Sequence, residues 1–386
     1  MQKLLTCLLV LLGGALHLAA QVPATGVLGP FAVGERDVTF TDISLNAPAV
    51  DARIWYPGTN PGNNVPVANG QFPVIAFGHG FNLNYLDYQD ICGHLASWGY
   101  IVLSPDVQNG FSVDHEEYAR ELAAGLNYLQ DEGANAASDF FQRTDTMTGV
   151  LGHSMGGGAS GLVPSIYPTI DAVSGLASAE TNPSAIASLG NYSGPYQVIS
   201  GADDNTAPEN TNQTPMYNAA LGEKHWLSIV GGAHCKFTDG PTICDFVSSP
   251  GSVSRAIQIY LSKKYCTAFF NYYLKADPDA RPFLCGDSVL ADVNGSVVSF
   301  QTNISCTAVS IAPPVAVGLT IFPNPATEQL TVKGAKALQV YNLRGQQRTV
   351  PVRADAVRAQ VDVSGLAPGI YLLRTASGQQ LFRIAR

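Results

Sequence analysis

The sequence predicts an α/β protein: a mostly parallel central sheet covered by helices, followed by a small all-β sandwich. Three observations carry that expectation. Short apolar runs alternate with helix-spaced segments between residues 72 and 275, which is how parallel strands and their crossovers read. One such run, Thr148-Gly149-Val150-Leu151, passes through Gly152-His153-Ser154-Met155-Gly156 straight into a small-residue helix. From about residue 317 the text becomes short strands at close spacing with turn residues between them.

Residues 36–44 and 49–56 alternate apolar and polar side chains and close at Pro57-Gly58, which predicts an antiparallel pair. A Gly/Pro/Asn loop follows at 60–71. Residues 72–77 form a buried strand leading into Gly78-His79-Gly80-Phe81. Residues 85–98 have helical spacing, and 99–103 form a second buried strand. Residues 114–132 read as a long amphipathic helix capped by Asp114, with acids in its first turn. After the strand at 147–151 come short strands at 171–176, 196–200 and 225–230, and then a closing helix at 252–275. In the tail, strands are expected at 319–322, 329–332, 338–341, 359–363, 369–374 and 380–385. Its aromatics Phe322, Tyr341, Tyr371 and Phe382 sit where a core is expected.

At 386 residues the chain fits one large domain plus a small one. The net charge of −9 argues against nucleic acid and anionic membranes as partners. That charge is divided unevenly. Residues 317–386 hold nine Lys/Arg against three Asp/Glu, whereas 21–316 hold eleven against twenty-seven. Two modules with different jobs are implied.

Residues 1–20 carry Lys3, an apolar run from Leu4 to Leu12 and small residues before Gln21, the pattern of a cleaved secretory signal. Gly13-Gly14 and His17 cut that run short of the ~20 apolar residues a membrane span needs. The expected divisions are a signal at 1–20, a catalytic domain at 21–304, a linker at 305–316 and a tail domain at 317–386. The mature chain is expected to be exported and monomeric, without stable membrane insertion.

Six cysteines remain after Cys7 leaves with the signal: Cys92, Cys235, Cys244, Cys266, Cys285 and Cys306. An oxidising compartment allows up to three disulfides among them. Cys235–Cys244 is the first expected pair and Cys266–Cys285 the second. No CxxC or HxxxH spacing points to a metal, and no cofactor is expected.

Strand, Gly-x-Ser-x-Gly and helix together make a nucleophile elbow, a turn so tight that the serine hydroxyl stands exposed. A serine needs a base to take its proton and an acid to orient that base. In such sheets the order along the chain is Ser, acid, His. Only His225 and His234 follow Ser154. His225 opens a strand and points to packing, while His234 lies in the loop past that strand's end, so His234 is the expected base. The acid is expected just after the preceding strand, at Asp203 or Asp204; Glu180 and Glu209 read as surface groups. The oxyanion donors are expected at the N–H of Met155 and, from the loop after the first buried parallel strand, the N–H of Phe81. His79 and His153 are expected to be bonded or packed rather than reactive.

Residues 72–81, 95–103, 152–160, Asp204-Asn205-Thr206-Ala207-Pro208 and 231–235 resemble the bacterial cutinases and poly(ethylene terephthalate) hydrolases, within the dienelactone-hydrolase-like group. The resemblance implies an α/β-hydrolase fold and a secreted serine esterase active on carboxylic esters, with aromatic polyesters among its substrates. Matching Gly-x-Ser-Met-Gly-Gly-Gly, Asp-x-x-Ala-Pro and Gly-Gly-x-His segments give Ser154, Asp204 and His234 as the triad, and Phe81 and Met155 as oxyanion donors. One feature departs from that family. Its members commonly carry a Trp on the loop after the next strand, where this chain reads Ser178-Ala179-Glu180-Thr181.

The tail resembles the C-terminal sorting domain of type IX secretion cargo, through Phe322-Pro323-Asn324-Pro325, Val340-Tyr341-Asn342-Leu343-Arg344-Gly345 and Leu366-Ala367-Pro368-Gly369-Ile370-Tyr371. That implies the type IX machinery as partner and a final location in the medium or on the cell surface. The alternatives are a short-chain acyl esterase, a lipase, a peptidase, or a non-catalytic surface protein. Without a lid-like apolar insertion, the lipase reading is disfavoured.

Overall fold

The computed structural model describes residues 25–246, 248–305 and 320–385, apart from 334–336, 343–345, 356–357 and 376–377. The expected signal at 1–20, and the linker beyond residue 305, lie outside the described residues.

In chain order the large domain runs β1 (Ala32–Thr41), β2 (Ala49–Gly58), β3 (Gly62–Asn63), β4 (Phe72–Gly78), α1 (Gln89–Ser97), β5 (Ile101–Pro105), α2 (His115–Ala134), β6 (Thr144–His153), α3 (Met155–Ile166), β7 (Ala172–Leu176), α4 (Ala185–Leu189), β8 (Tyr196–Gly201), α5 (Gln213–Ala219), β9 (Lys224–Ile229), α6 (Arg255–Leu274), α7 (Arg281–Cys285), α8 (Asp287–Asn294) and β10 (Val298–Thr302). Its ten strands form one sheet in the order β10-β9-β8-β7-β6-β4-β5-β2-β1-β3. The central strands β5, β4, β6, β7, β8 and β9 pair in parallel, and the antiparallel β1–β2 unit joins through β2 to β5.

The apolar runs are continuous because both faces of each central strand are covered. On β4, Val74 and Ala76 join the core under α2, α3, α4 and α5. Ile75 and Phe77 join the core under α1, α6, α7 and α8. Asp114 caps α2 as expected, its carboxylate accepting the Glu117 N–H at 3.0 Å. Two features were not expected. Helices α7 and α8 follow the closing helix, with Asp292 of α8 accepting from Lys264 and Tyr265 of α6, each at 2.7 Å. Strand β10 then adds antiparallel to β9 and ends the sheet.

Cys235 and Cys244 are joined, as expected. The second pairing is not formed: Cys266 is a free thiol buried in the core between sheet and α6, Cys92 is likewise free, and Cys285 is disulfide-bonded. Cys92 and Cys266 serve as small apolar side chains.

The tail contributes β11 (Thr320–Phe322), β12 (Gln329–Lys333), β13 (Leu338–Asn342), β14 (Gln347–Arg348), β15 (Val352–Ala354), β16 (Arg358–Asp362), β17 (Gly369–Thr375) and β18 (Gly378–Ile384). They form two four-stranded antiparallel sheets around a core containing Leu330, Val361, Leu373, Tyr371 and Phe382. Phe322 departs from expectation: it is 40% exposed on β11, where the inward position is taken by Ile321. Tyr341 is half-buried.

Candidate active site

The chain changes direction around β4, which has β5 on one side and β6 on the other, and ligand sites open at the carboxyl ends of strands at such a switch. All the sequence-predicted site residues follow carboxyl ends there. Phe81 comes after β4, Ser154 after β6, Asp204 after β8 and His234 after β9.

Ser154 has φ 55° and ψ −118°, a conformation that non-glycine residues rarely adopt. Two backbone bonds hold it there. Its N–H donates to the Leu176 carbonyl, and its own carbonyl accepts the Ala179 N–H, both at 2.9 Å. The flanking glycines are required by close approach. A Cβ on Gly152 would stand 2.2 Å from the Gly156 carbonyl oxygen, and one on Gly156 would stand 2.2 Å from that of Gly78. The serine itself is half-exposed, so its hydroxyl is reachable.

His234 Nε2 lies 2.8 Å from Ser154 Oγ, and His234 Nδ1 lies 2.7 Å from Asp204 Oδ2. Asp204 Oδ1 accepts the N–H groups of Thr206 and Ala207 at 2.8 and 2.9 Å. Both His234 and Asp204 are buried. Asp203, the alternative, is exposed. His225, the other histidine weighed, is fully buried between Tyr265 and Phe300, with Gln197 3.2 Å from its Nδ1. Burial lowers its pKa to about 3, so it is a neutral core group.

Met155 opens α3, where a first-turn N–H has no intrahelical acceptor. Among the described residues, no backbone carbonyl takes the Phe81 N–H either. The loop carrying Phe81 is braced from beneath: Tyr118 of α2 donates its hydroxyl to the His79 carbonyl at 3.1 Å. His79 is buried with Nδ1 2.9 Å from the Gly80 carbonyl, and burial holds its pKa below the ordinary imidazole value. Glu180 and Glu209 are not free surface carboxylates. Each is half-buried and takes a serine hydroxyl, Ser184 and Ser200 respectively.

The histidine loop is gripped at three consecutive carbonyls. Gln258 of α6 donates to Ala233 at 2.7 Å, His153 Nε2 lies 3.0 Å from the His234 carbonyl, and Arg255 donates to Cys235. The Cys235–Cys244 bond closes the following segment. Sequence reasoning missed this framework, and it missed Phe111. That ring is 91% exposed and stands 6.3 Å from Phe81, itself 44% exposed, so the two make an exposed aromatic pair on the loops after β4 and β5.

A serine at a strained strand-to-helix turn of a mostly parallel sheet, with a histidine and an aspartate from later strand ends beside it, defines an α/β hydrolase. The chain belongs to the PET hydrolase-like family, whose model matches residues 20–302. A cutinase of Thermobifida alba is 26% identical over 172 residues, 44% of this chain and 55% of that protein. A cutinase of Thermobifida cellulosilytica is 26% identical over 209 residues, 53% of this chain and 72% of that protein. Chlorophyllase-1 of Arabidopsis thaliana is 25% identical over 135 residues, 35% of this chain and 39% of that protein. The chain thus spans from about two fifths to somewhat under three quarters of the length of these relatives.

Residues 320–384 match the secretion system C-terminal sorting domain. The chain therefore carries the address of a type IX secretion cargo, bound for the cell surface or the extracellular medium. No helix among the described residues is long and apolar enough to cross a membrane.

Proposed function

We propose that the protein hydrolyses carboxylic esters through an acyl-enzyme, with Ser154 as nucleophile, His234 as base and Asp204 as the acid that orients the imidazole. The observation that carries this reading is the unbroken line Asp204–His234–Ser154, at 2.7 and 2.8 Å. His234 Nε2 takes the hydroxyl proton as Oγ attacks the ester carbonyl, and Asp204 stabilises the imidazolium that results. The N–H groups of Met155 and Phe81 receive the oxyanion; one such donor is typically worth roughly a hundred- to a thousandfold in rate. The proton passes to the leaving alcohol, and water activated by His234 then releases the acid.

Short acyl esters need little beyond these groups. Aromatic polyesters are the second substrate class, supported by the family and by the cutinase names of the relatives. The exposed rings of Phe81 and Phe111, 6.3 Å apart, offer an apolar surface on the loop that carries the proposed oxyanion donor, while Ala179 and Glu180 occupy the place of the expected second wall. Residues 317–386 act in delivery, with the type IX machinery as partner, and residues 21–304 act as a monomeric catalytic unit. The inversion of charge between the two supports that division.

The test is a fluorophosphonate label on Ser154 together with turnover of a nitrophenyl butyrate ester. Label and turnover should both vanish in Ser154→Ala. Near-wild-type turnover in a folded Ser154→Ala protein overturns the assignment.

A further inference from the structure

A buried hydrogen-bonded line joins the two halves of the site, and neither of its central side chains reaches the substrate. The Gly80 N–H meets the Tyr88 hydroxyl at 3.0 Å, and that hydroxyl meets His153 Nδ1 at 2.7 Å. His153 Nε2 meets the His234 carbonyl at 3.0 Å. Tyr88 is 0% and His153 1% exposed. The two ends of this line have fixed roles, since a backbone N–H can only donate and a carbonyl can only accept. Tyr88 oxygen therefore accepts from Gly80, and its own proton goes to His153 Nδ1. That leaves the imidazole proton on Nε2, donating to His234. One arrangement of protons satisfies every group.

We propose that Tyr88 and His153 are positioning residues: they hold His153 as one neutral tautomer and so lock the oxyanion loop at Gly80 to the catalytic histidine's backbone. The inference rests on the ester-hydrolase reading above. Close packing supports it. A Cβ on Gly80 would stand 3.0 Å from both the Tyr88 hydroxyl and His153 Nδ1, so the loop lies directly on the line. The His153 ring lies against those of His234 and Phe237, with centroids 4.9 and 5.5 Å away. Burial, reinforced by His234 and by Arg255 of α6, presses the His153 pKa well below the ordinary value. A neutral His153 leaves the transient charge on His234 uncontested during turnover.

The test compares Tyr88→Phe, His153→Phe and His153→Gln, with rates counted per site titrated by fluorophosphonate so that unfolded protein does not enter. Glutamine can accept from Tyr88 and donate to His234 without taking a charge, whereas phenylalanine keeps the ring's bulk and loses both bonds. Misplacement of about 1 Å at a reacting centre costs up to ~100-fold. Tyr88→Phe and His153→Phe should therefore lose roughly 10- to 100-fold in kcat with KM changed less than about threefold, and His153→Gln should recover most of that loss. The reverse ranking, with both Phe variants near wild type and Gln impaired, shows a packing role only and overturns the proposal. Absence of ester turnover in the wild type would instead overturn the ester-hydrolase reading itself.

Discussion

Asp204 offers one carboxylate oxygen to His234 Nδ1 at 2.7 Å and the other to two backbone N–H groups, so both of its acceptors are committed. The neighbouring Asp203 carboxylate faces water. An Asp204→Asn change replaces an acceptor by a group that can present a donor to Nδ1, which favours the wrong imidazole tautomer. Losing the orienting acid in triads of this kind costs roughly 10⁴-fold in kcat. Asp204→Asn should lose about that much and Asp203→Asn less than about threefold. Equal losses in the two variants would refute the assignment.

Glu121 of α2 supports the loop that carries Phe111. Its carboxylate accepts the Gln108 amide at 3.1 and 3.3 Å, and the other end of that amide accepts the Asp114 N–H. Burial raises the Glu121 pKa from 4.5 to about 7, with Glu117 and Asp114 adding to the rise and the Gln108 bond opposing it. Between those values the folded protein keeps a proton that the unfolded chain has lost. Stability from this group therefore falls as pH rises from about 4.5 to about 7, and is level above. Asp239, raised by burial from 3.8 to about 7, adds a slope of the same sign. Glu121→Gln removes the first slope and keeps the second. The Tm of the variant relative to wild type should rise by a few degrees between pH 5 and pH 8, since about 1 kcal/mol moves Tm by about 2–4 °C in domains slightly smaller than this. A Tm difference identical at both pH values would contradict it.

Ser154, Asp204 and His234, the proposed triad, were nominated from the chain because each sits in a short segment whose backbone needs leave a mark. Gly152 and Gly156 record collisions that only glycine avoids, and Asp204 and His234 follow short strands that are buried nearly throughout. The choice of Asp204 over Asp203 was not in composition or spacing; it came from resemblance, and in the structure Asp204 is the buried aspartate beside His234 while Asp203 is exposed. Tyr88 and His153 lie 65 positions apart, and no local pattern announces that they meet. Phe111 was illegible for the opposite reason: an exposed aromatic in a polar loop leaves no periodicity. The pairing of Cys266 with Cys285 failed because Cys266 on α6 turns toward the sheet, its Sγ 4.0 Å from the Ser174 hydroxyl of β7. Helices α7 and α8 went unread because they are short, and Pro282, Gly286 and Gly295 punctuate them.

The last prediction concerns the missing wall. The Ala179 N–H is held by the Ser154 carbonyl at 2.9 Å, so position 179 stands beside Ser154 on a fixed backbone. Its neighbour is anchored too: the Glu180 N–H donates to Asn212 at 2.9 Å, and its carboxylate takes the Ile186 N–H at 3.2 Å. A large ring introduced at 179 would thus be carried by a well-anchored segment next to Ser154 in the backbone hydrogen-bond network. Ala179 is half-buried. Offset stacking of one ring against another is worth about 0.5–1.5 kcal/mol, or roughly two- to twelvefold in rate. Ala179→Trp should therefore raise monomer release from an amorphous aromatic polyester several-fold relative to hydrolysis of a nitrophenyl butyrate ester. The measurement is the ratio of the two rates, which cancels any change in folded fraction. A ratio that falls or stays level would place the substrate ring elsewhere than over residue 179.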